Sequence, residues 1–107
     1  MIEISLDKCE GGRFVFSACG HAAYCEGGDD IVCAAVSTLV FTLYRAVCAL
    51  DTRGDISRFY HTLSKGEALL DFTVKERALD AAGQILDSYM EGFVTVADKF
   101  PENVSVI

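Results

Sequence analysis

Two side chains in this 107-residue chain, a histidine and a cysteine, have the chemistry of a thiol nucleophile and its base. His21 is one of two histidines and sits between Gly20 and Ala22, small residues that leave room around an imidazole. Twelve residues on, Cys33 stands at the mouth of a long apolar stretch, just after the acidic, glycine-rich run Glu26-Gly27-Gly28-Asp29-Asp30. Asp30 is a good helix N-cap, because its carboxylate can accept hydrogen bonds from the unpaired amides of the first turn. Counted from that cap, Cys33 is the third helical residue, where those amides and the positive end of the helix dipole favour a thiolate. The same amides suit an oxyanion. A loop histidine and a helix-start cysteine are the minimal kit for a thiol nucleophile with its base.

Each of these residues also has a plainer reading. Cysteine is commonly a small apolar filler, and a histidine at a strand end can simply hydrogen-bond a carbonyl. His61, midway along an apolar alternation, reads as structural. Ser37 lies one turn after Cys33 on the same face, within reach of the site, although serine in a helix often bonds back to a carbonyl. His21, Cys25 and Cys33 offer three soft metal ligands, but without zinc-site spacing or a fourth ligand, so no metal or cofactor is expected. The glycine-rich run is no phosphate cradle, because no Lys-Ser/Thr follows it and its acids repel phosphate. Two other function classes stay open. One is a redox sensor in which Cys25 resolves an oxidised Cys33. The other is a non-enzymatic dimeric interaction module.

Composition narrows the field. Half the residues (51%) are apolar and 23% are charged, which argues against disorder and for one domain over residues 1–107. A net charge of −7 disfavours direct nucleic-acid binding and suits a basic protein as partner. The first ten residues, MIEISLDKCE, carry acid early and lack the apolar core of a signal peptide. Residues 31–44 are uncharged, but Arg45 ends that run short of a membrane span, so a buried core helix is expected. Five cysteines (9, 19, 25, 33 and 48) with no CxxC pair point to reduced thiols in the cytoplasm.

The elements that must position His21 and Cys33 follow from periodicity. Residues 1–7 alternate with Ile2, Ile4 and Leu6 on one face, a half-buried strand. Cys9-Glu10-Gly11-Gly12 is a hairpin turn, and residues 13–19 return with Phe14, Phe16 and Ala18 on the core face. Gly20 ends that strand and delivers His21 to the edge of the sheet. From Ile31 to about Leu50 apolar residues cover most of a helix circumference. Ala35, Val36, Leu39, Val40, Leu43 and Val47 make one stripe, widened by Phe41, Tyr44 and Cys48. One sheet can cover only part of such a helix, so a second helix or a second copy should cover the rest, and a homodimer is expected. A second hairpin runs over residues 56–63 and 68–74 around Lys65-Gly66-Glu67. Thr73 with Glu76 suggests a capping box for a helix reaching about Asp98, in which Gly92 permits close packing or a bend. Residues 104–107 form a last strand. The order ββαββαβ predicts an α+β fold, two helices packed on a mainly antiparallel sheet.

Taken together, Gly20-His21-Ala22, Tyr24, Gly28 and the run Asp30-Ile31-Val32-Cys33-Ala34-Ala35-Val36-Ser37 resemble the signature of the ribosomal-processing cysteine protease family Prp. The resemblance extends over the whole chain in length and element order. The chain departs from the family pattern at Ala23, Cys25, Gly27 and Asp29. What the resemblance implies is a cytoplasmic bacterial endopeptidase with a Cys–His dyad, usually dimeric. Such an enzyme removes a short N-terminal extension from a basic large-subunit ribosomal protein, number twenty-seven. Carried onto this chain, Cys33 is the nucleophile and His21 its base. Asp30 and Ser37 support the site, and the loop with Tyr24, Gly27 and Gly28 moves when substrate binds.

Overall fold

The computed structural model describes residues 1–20 and 30–107, and of Asp30 only the backbone. Strand β1 (Ile2–Lys8) turns through a short 3-10 segment (Glu10–Gly12) into β2 (Arg13–Cys19). Helix α1 (Asp30–Thr52) follows, then the hairpin β3 (Ile56–Ser64) and β4 (Glu67–Val74), helix α2 (Leu79–Lys99) and strand β5 (Val104–Val106). The expected order ββαββαβ is therefore the observed one.

The five strands form one sheet in the order β3-β4-β2-β1-β5, antiparallel throughout except where β5 pairs parallel with β1. Strand β2 is thus central, so the chain leaves at Gly20 from the end of the middle strand rather than from a lateral edge. Alternation sets the two faces. Ile2, Ile4, Phe14, Phe16, Leu70 and Phe72 are all buried on the helix side, each contributing ~1.5–3 kcal/mol by leaving water. Phe93 of α2 reaches down to Phe16 (ring centroids 5.3 Å apart), and Phe14 stacks on Phe72 (5.5 Å). On the far face Asp71 takes paired hydrogen bonds from both Arg13 (2.8 and 3.0 Å) and Arg58 (2.9 and 3.1 Å). Those bonds hold its carboxyl well below the usual carboxylate range.

Helix α1 buries Val32, Val36, Val40, Leu43, Val47 and Leu50. Arg45 does not shorten it, because that side chain is exposed and the helix runs on to Thr52. By length and composition alone, Ile31–Thr52 would suffice to cross a bilayer, yet its apolar stripe packs onto α2 and the sheet. Phe41, expected to widen that stripe, instead points outward at 54% exposure. Helix α2 buries Ala82, Leu86, Phe93 and Val96, while Leu79 is exposed at its start. Where the helices meet, a Cβ on Gly92 would lie 3.0 Å from Leu39 Cδ2, so Gly92 serves close packing.

The expected capping box is absent. Thr73 lies within β4, a 3-10 turn at Glu76–Ala78 precedes α2, and neither start has a side-chain cap. Thr73 is held in the strand by pairing with both Arg13 and Arg58. The turn is anchored by Arg77, which donates to Asp55 Oδ1 and to the Gly54 carbonyl, both at 2.9 Å.

Candidate active site

Cys33 lies in the first turn of α1, half-buried between the buried residues Val32 and Val36. Ser37, four residues on, shares its face, as the helical spacing requires. Both side chains line one cavity of about 270 Å³ beneath the opening half of α1. The floor is the end of the sheet, where Ile2, Ala18 and Ala68 supply small or apolar side chains. One wall is the tip of the β3–β4 hairpin, from Leu63 through Lys65 and Glu67, and Phe41 stands at the side.

Gly20 also lines this cavity and marks where the chain turns out of β2. Its φ of +100° is a backbone conformation that favours glycine, and a Cβ there would collide with the Met1 carbonyl. Its amide donates to the Gly66 carbonyl (2.9 Å), which ties the end of β2 to the hairpin tip. Gly66, at φ +85°, lets that hairpin close in two residues, so the tip sits against the cavity. Replacing Gly20 by alanine would break this arrangement, and the chain entering residue 21 would leave in another direction.

His21, Tyr24, Cys25, Gly27 and Gly28 lie outside the described residues, as does the Asp30 side chain. The structure therefore brings together Cys33 and Ser37 of the expected site. Among the described residues no group of three or more His, Cys, Asp or Glu side chains is placed to hold a metal ion. His61 sits away from the cavity, on the inner face of β3, with its ring 5.0 Å from both Tyr44 and Phe59. The Tyr44 phenol is held above its ordinary range, chiefly by its hydrogen bond with Cys48. The hairpin wall at residues 63–68 carries no catalytic signature in the sequence. Its one legible signal was the Lys65-Gly66 turn, which fixes where the tip falls.

What the arrangement can do is hold an acyl group against a sulfur. A first-turn thiol opens into a cavity that has an apolar floor and polar groups at the hairpin tip, with first-turn amides nearby to stabilise developing negative charge. Comparison with solved structures finds the same fold elsewhere. SMU.848 from Streptococcus mutans is 26% identical, with a TM-score of 0.68 over 99% of this chain and 91% of that one. The essential ribosomal processing protease Prp from S. aureus is 23% identical in two structures. Its complex with a substrate peptide gives a TM-score of 0.70 over 100% of this chain and 98% of that one. Its form with a covalently linked product peptide gives 0.72 over 99% and 97%. Among curated proteins nothing matches. The family model for the cysteine protease Prp matches residues 1–105, nearly the full length, and this chain accordingly belongs to that family of cysteine proteases.

Proposed function

We propose that this cysteine protease matures a ribosomal protein, removing the N-terminal extension of large-subunit protein twenty-seven in the cytoplasm, with Cys33 as nucleophile and His21 as its base. The observation that carries the reading is the position of Cys33, in the first turn of α1 and opening onto the cavity at the end of the sheet. Family membership supports it, as does the likeness in fold to a protein described as a ribosomal processing protease.

In this mechanism the imidazole of His21 takes the proton from Cys33 Sγ, and the sulfur attacks the scissile carbonyl. Amides of the first helical turn stabilise the tetrahedral oxyanion. Collapse breaks the C–N bond, His21 returns its proton to the leaving amine, and the extension stays on Cys33 as a thioester. Water, deprotonated by the same imidazole, then hydrolyses the thioester and restores the thiol. The helix already includes Asp30, so Asp30 is its first residue rather than its cap and Cys33 its fourth. In this reading Asp30 and Ser37 support the sulfur from either side, and the loop with Tyr24, Gly27 and Gly28 closes over bound peptide. No step requires a metal or cofactor.

The same reading includes a homodimer. Ile31 is 73% exposed, and Ala34 and Thr38 continue an exposed, weakly polar stripe along α1 that a second copy would cover. Sedimentation at micromolar concentration is expected to give a dimer, and Ile31→Glu a monomer.

The test is a peptide spanning the extension and the mature start of the host's ribosomal protein. Wild type is expected to cut it once, Cys25→Ala to cut it equally, and Cys33→Ala and His21→Ala to leave it intact. Cleavage undiminished by Cys33→Ala, or no cleavage by wild type, overturns the proposal.

A further inference from the structure

The sheet has two lateral edges, and they differ in kind. Strand β5 offers three residues, whereas β3 offers nine, and no described strand pairs with it on its outer side. A long open edge is a template for another chain, and proteins commonly blunt one with proline, inward charge or a bulge. Residues 57–64 contain no proline, and the register shift between Ile56 and Arg58 lies at the far end from the cavity. The half that runs toward Cys33 is regular.

The register fixes which groups are on offer. A two-residue turn closes on a hydrogen-bonded pair, here Ser64 with Glu67, so Thr62 and Tyr60 also bond to β4. The amides and carbonyls of Phe59, His61 and Leu63 are then left pointing away from the sheet. Their side chains lie on the inner face, beside α1. Phe59, His61 and Tyr44 form a half-open aromatic shelf, with ring centroids 5.0 to 6.2 Å apart. Leu63 and the exposed Phe41 continue that shelf into the cavity that holds Cys33.

We infer that the substrate peptide binds as a sixth strand along the outer edge of β3, paired with the backbone of His61 and Leu63. Alternate side chains then rest on the Tyr44–Phe59–His61 shelf, and the scissile bond is carried past Leu63 to Cys33. This inference rests on the peptidase reading above and names how that substrate is held. Main-chain pairing supplies affinity that depends little on side chains, while the shelf selects apolar or aromatic ones at every second position. The continuity of edge, shelf and cavity is what favours a peptide over a second copy of the chain.

The experiment is an N-methyl walk along the cleavable peptide, one backbone amide at a time, read as KM and kcat separately. The unmodified peptide must first be cut in a Cys33-dependent way. If it is not, the peptidase reading fails and pairing is not what the result judges. Given cleavage, N-methylation is expected to raise KM at least tenfold at alternate residues on one side of the scissile bond, with the residues between them tolerated. His61→Pro removes one outward donor and leaves the β3–β4 ladder bonded. It is expected to raise KM by a similar factor with kcat and thermal midpoint nearly unchanged. Losses confined to the two residues flanking the scissile bond, or losses without a two-residue period, overturn the inference. It is equally overturned if His61→Pro dissociates a dimer while leaving KM as it was, since a second copy would then hold the edge.

Discussion

Helices α1 and α2 lie on the same face of one sheet and are close in length, 23 and 21 residues, yet they meet water in opposite ways. The outer side of α2 is charged, with Asp80, Asp87, Glu91 and Asp98 exposed and Lys8 of β1 bridging to Asp87 at 2.7 Å. The outer side of α1 shows Ile31, Ala34, Thr38 and Phe41. A conventional amphipathic helix is finished once its apolar stripe is buried. Helix α1 is not finished, and it is the one that carries Cys33. The contrast separates a helix with a charged outer face from one whose outer face stays weakly polar beside Cys33.

Single substitutions can break or sharpen that contrast. The largest expected effect is on α1: Cys33→Ala should lower kcat/KM at least ~10³-fold while shifting the thermal midpoint little. Its counterpart on α2 is Phe93→Ala, at a fully buried ring against Phe16, which should cost ~3–5 kcal/mol of stability by denaturant titration. Its activity per folded molecule should stay near wild type. If Phe93→Ala abolished activity in folded protein, the division of labour between the helices would be wrong.

A smaller effect concerns pH. The Asp71 carboxyl, depressed by Arg13 and Arg58, contributes stability that is complete above the ordinary carboxylate pKa and is lost as pH falls below it. Wild type should therefore lose thermal midpoint between pH 5 and pH 3, and Asp71→Asn should lose less. This ladder joins β2, β3 and β4 on the face away from both helices. Its loss should therefore weaken the sheet without moving Cys33, which activity at pH 7 would check.

The smallest effects separate two glycines of α2. Gly83 has open space where a Cβ would go, so Gly83→Ala should stabilise by ~0.5–1 kcal/mol through helix propensity. At Gly92 the same gain meets Leu39 of α1 at 3.0 Å, and the net change should be smaller or reversed. Equal gains at both sites would mean the helix contact is looser than it looks.

How much of this was legible in the sequence depended on how local the cause was. Strand alternation in residues 2–6 and 14–18, glycine at the first hairpin and the helical spacing around Val36 and Val40 act over a few residues, and the elements fell where those patterns placed them. The pairing of Cys33 with Ser37 was legible for the same reason. The capping box failed because Thr73 was held in the sheet by partners sixty and fifteen residues away in sequence. The cavity wall from Leu63 to Ala68 was hidden because it reaches Cys33 only through the strand order, and strand order is not a local property. The outward turn of Phe41 was missed because an apolar residue next to a core stripe looks the same whether it is buried or lies beside a groove.

The packing on either side of Cys33 governs how the enzyme behaves when it is warmed. Cys33 is flanked by Val32 at 1% exposure and Val36 at 4%, both sunk into the main core. The backbone that aims the sulfur is therefore moored in oil-like packing on either side of it. Salt should hardly disturb that mooring, whereas heat that softens the interior will blur the aim of the Cys33 sulfur before the chain unfolds. Inactivation should precede melting in a temperature ramp, and the interval between the two measures how tightly those valines hold.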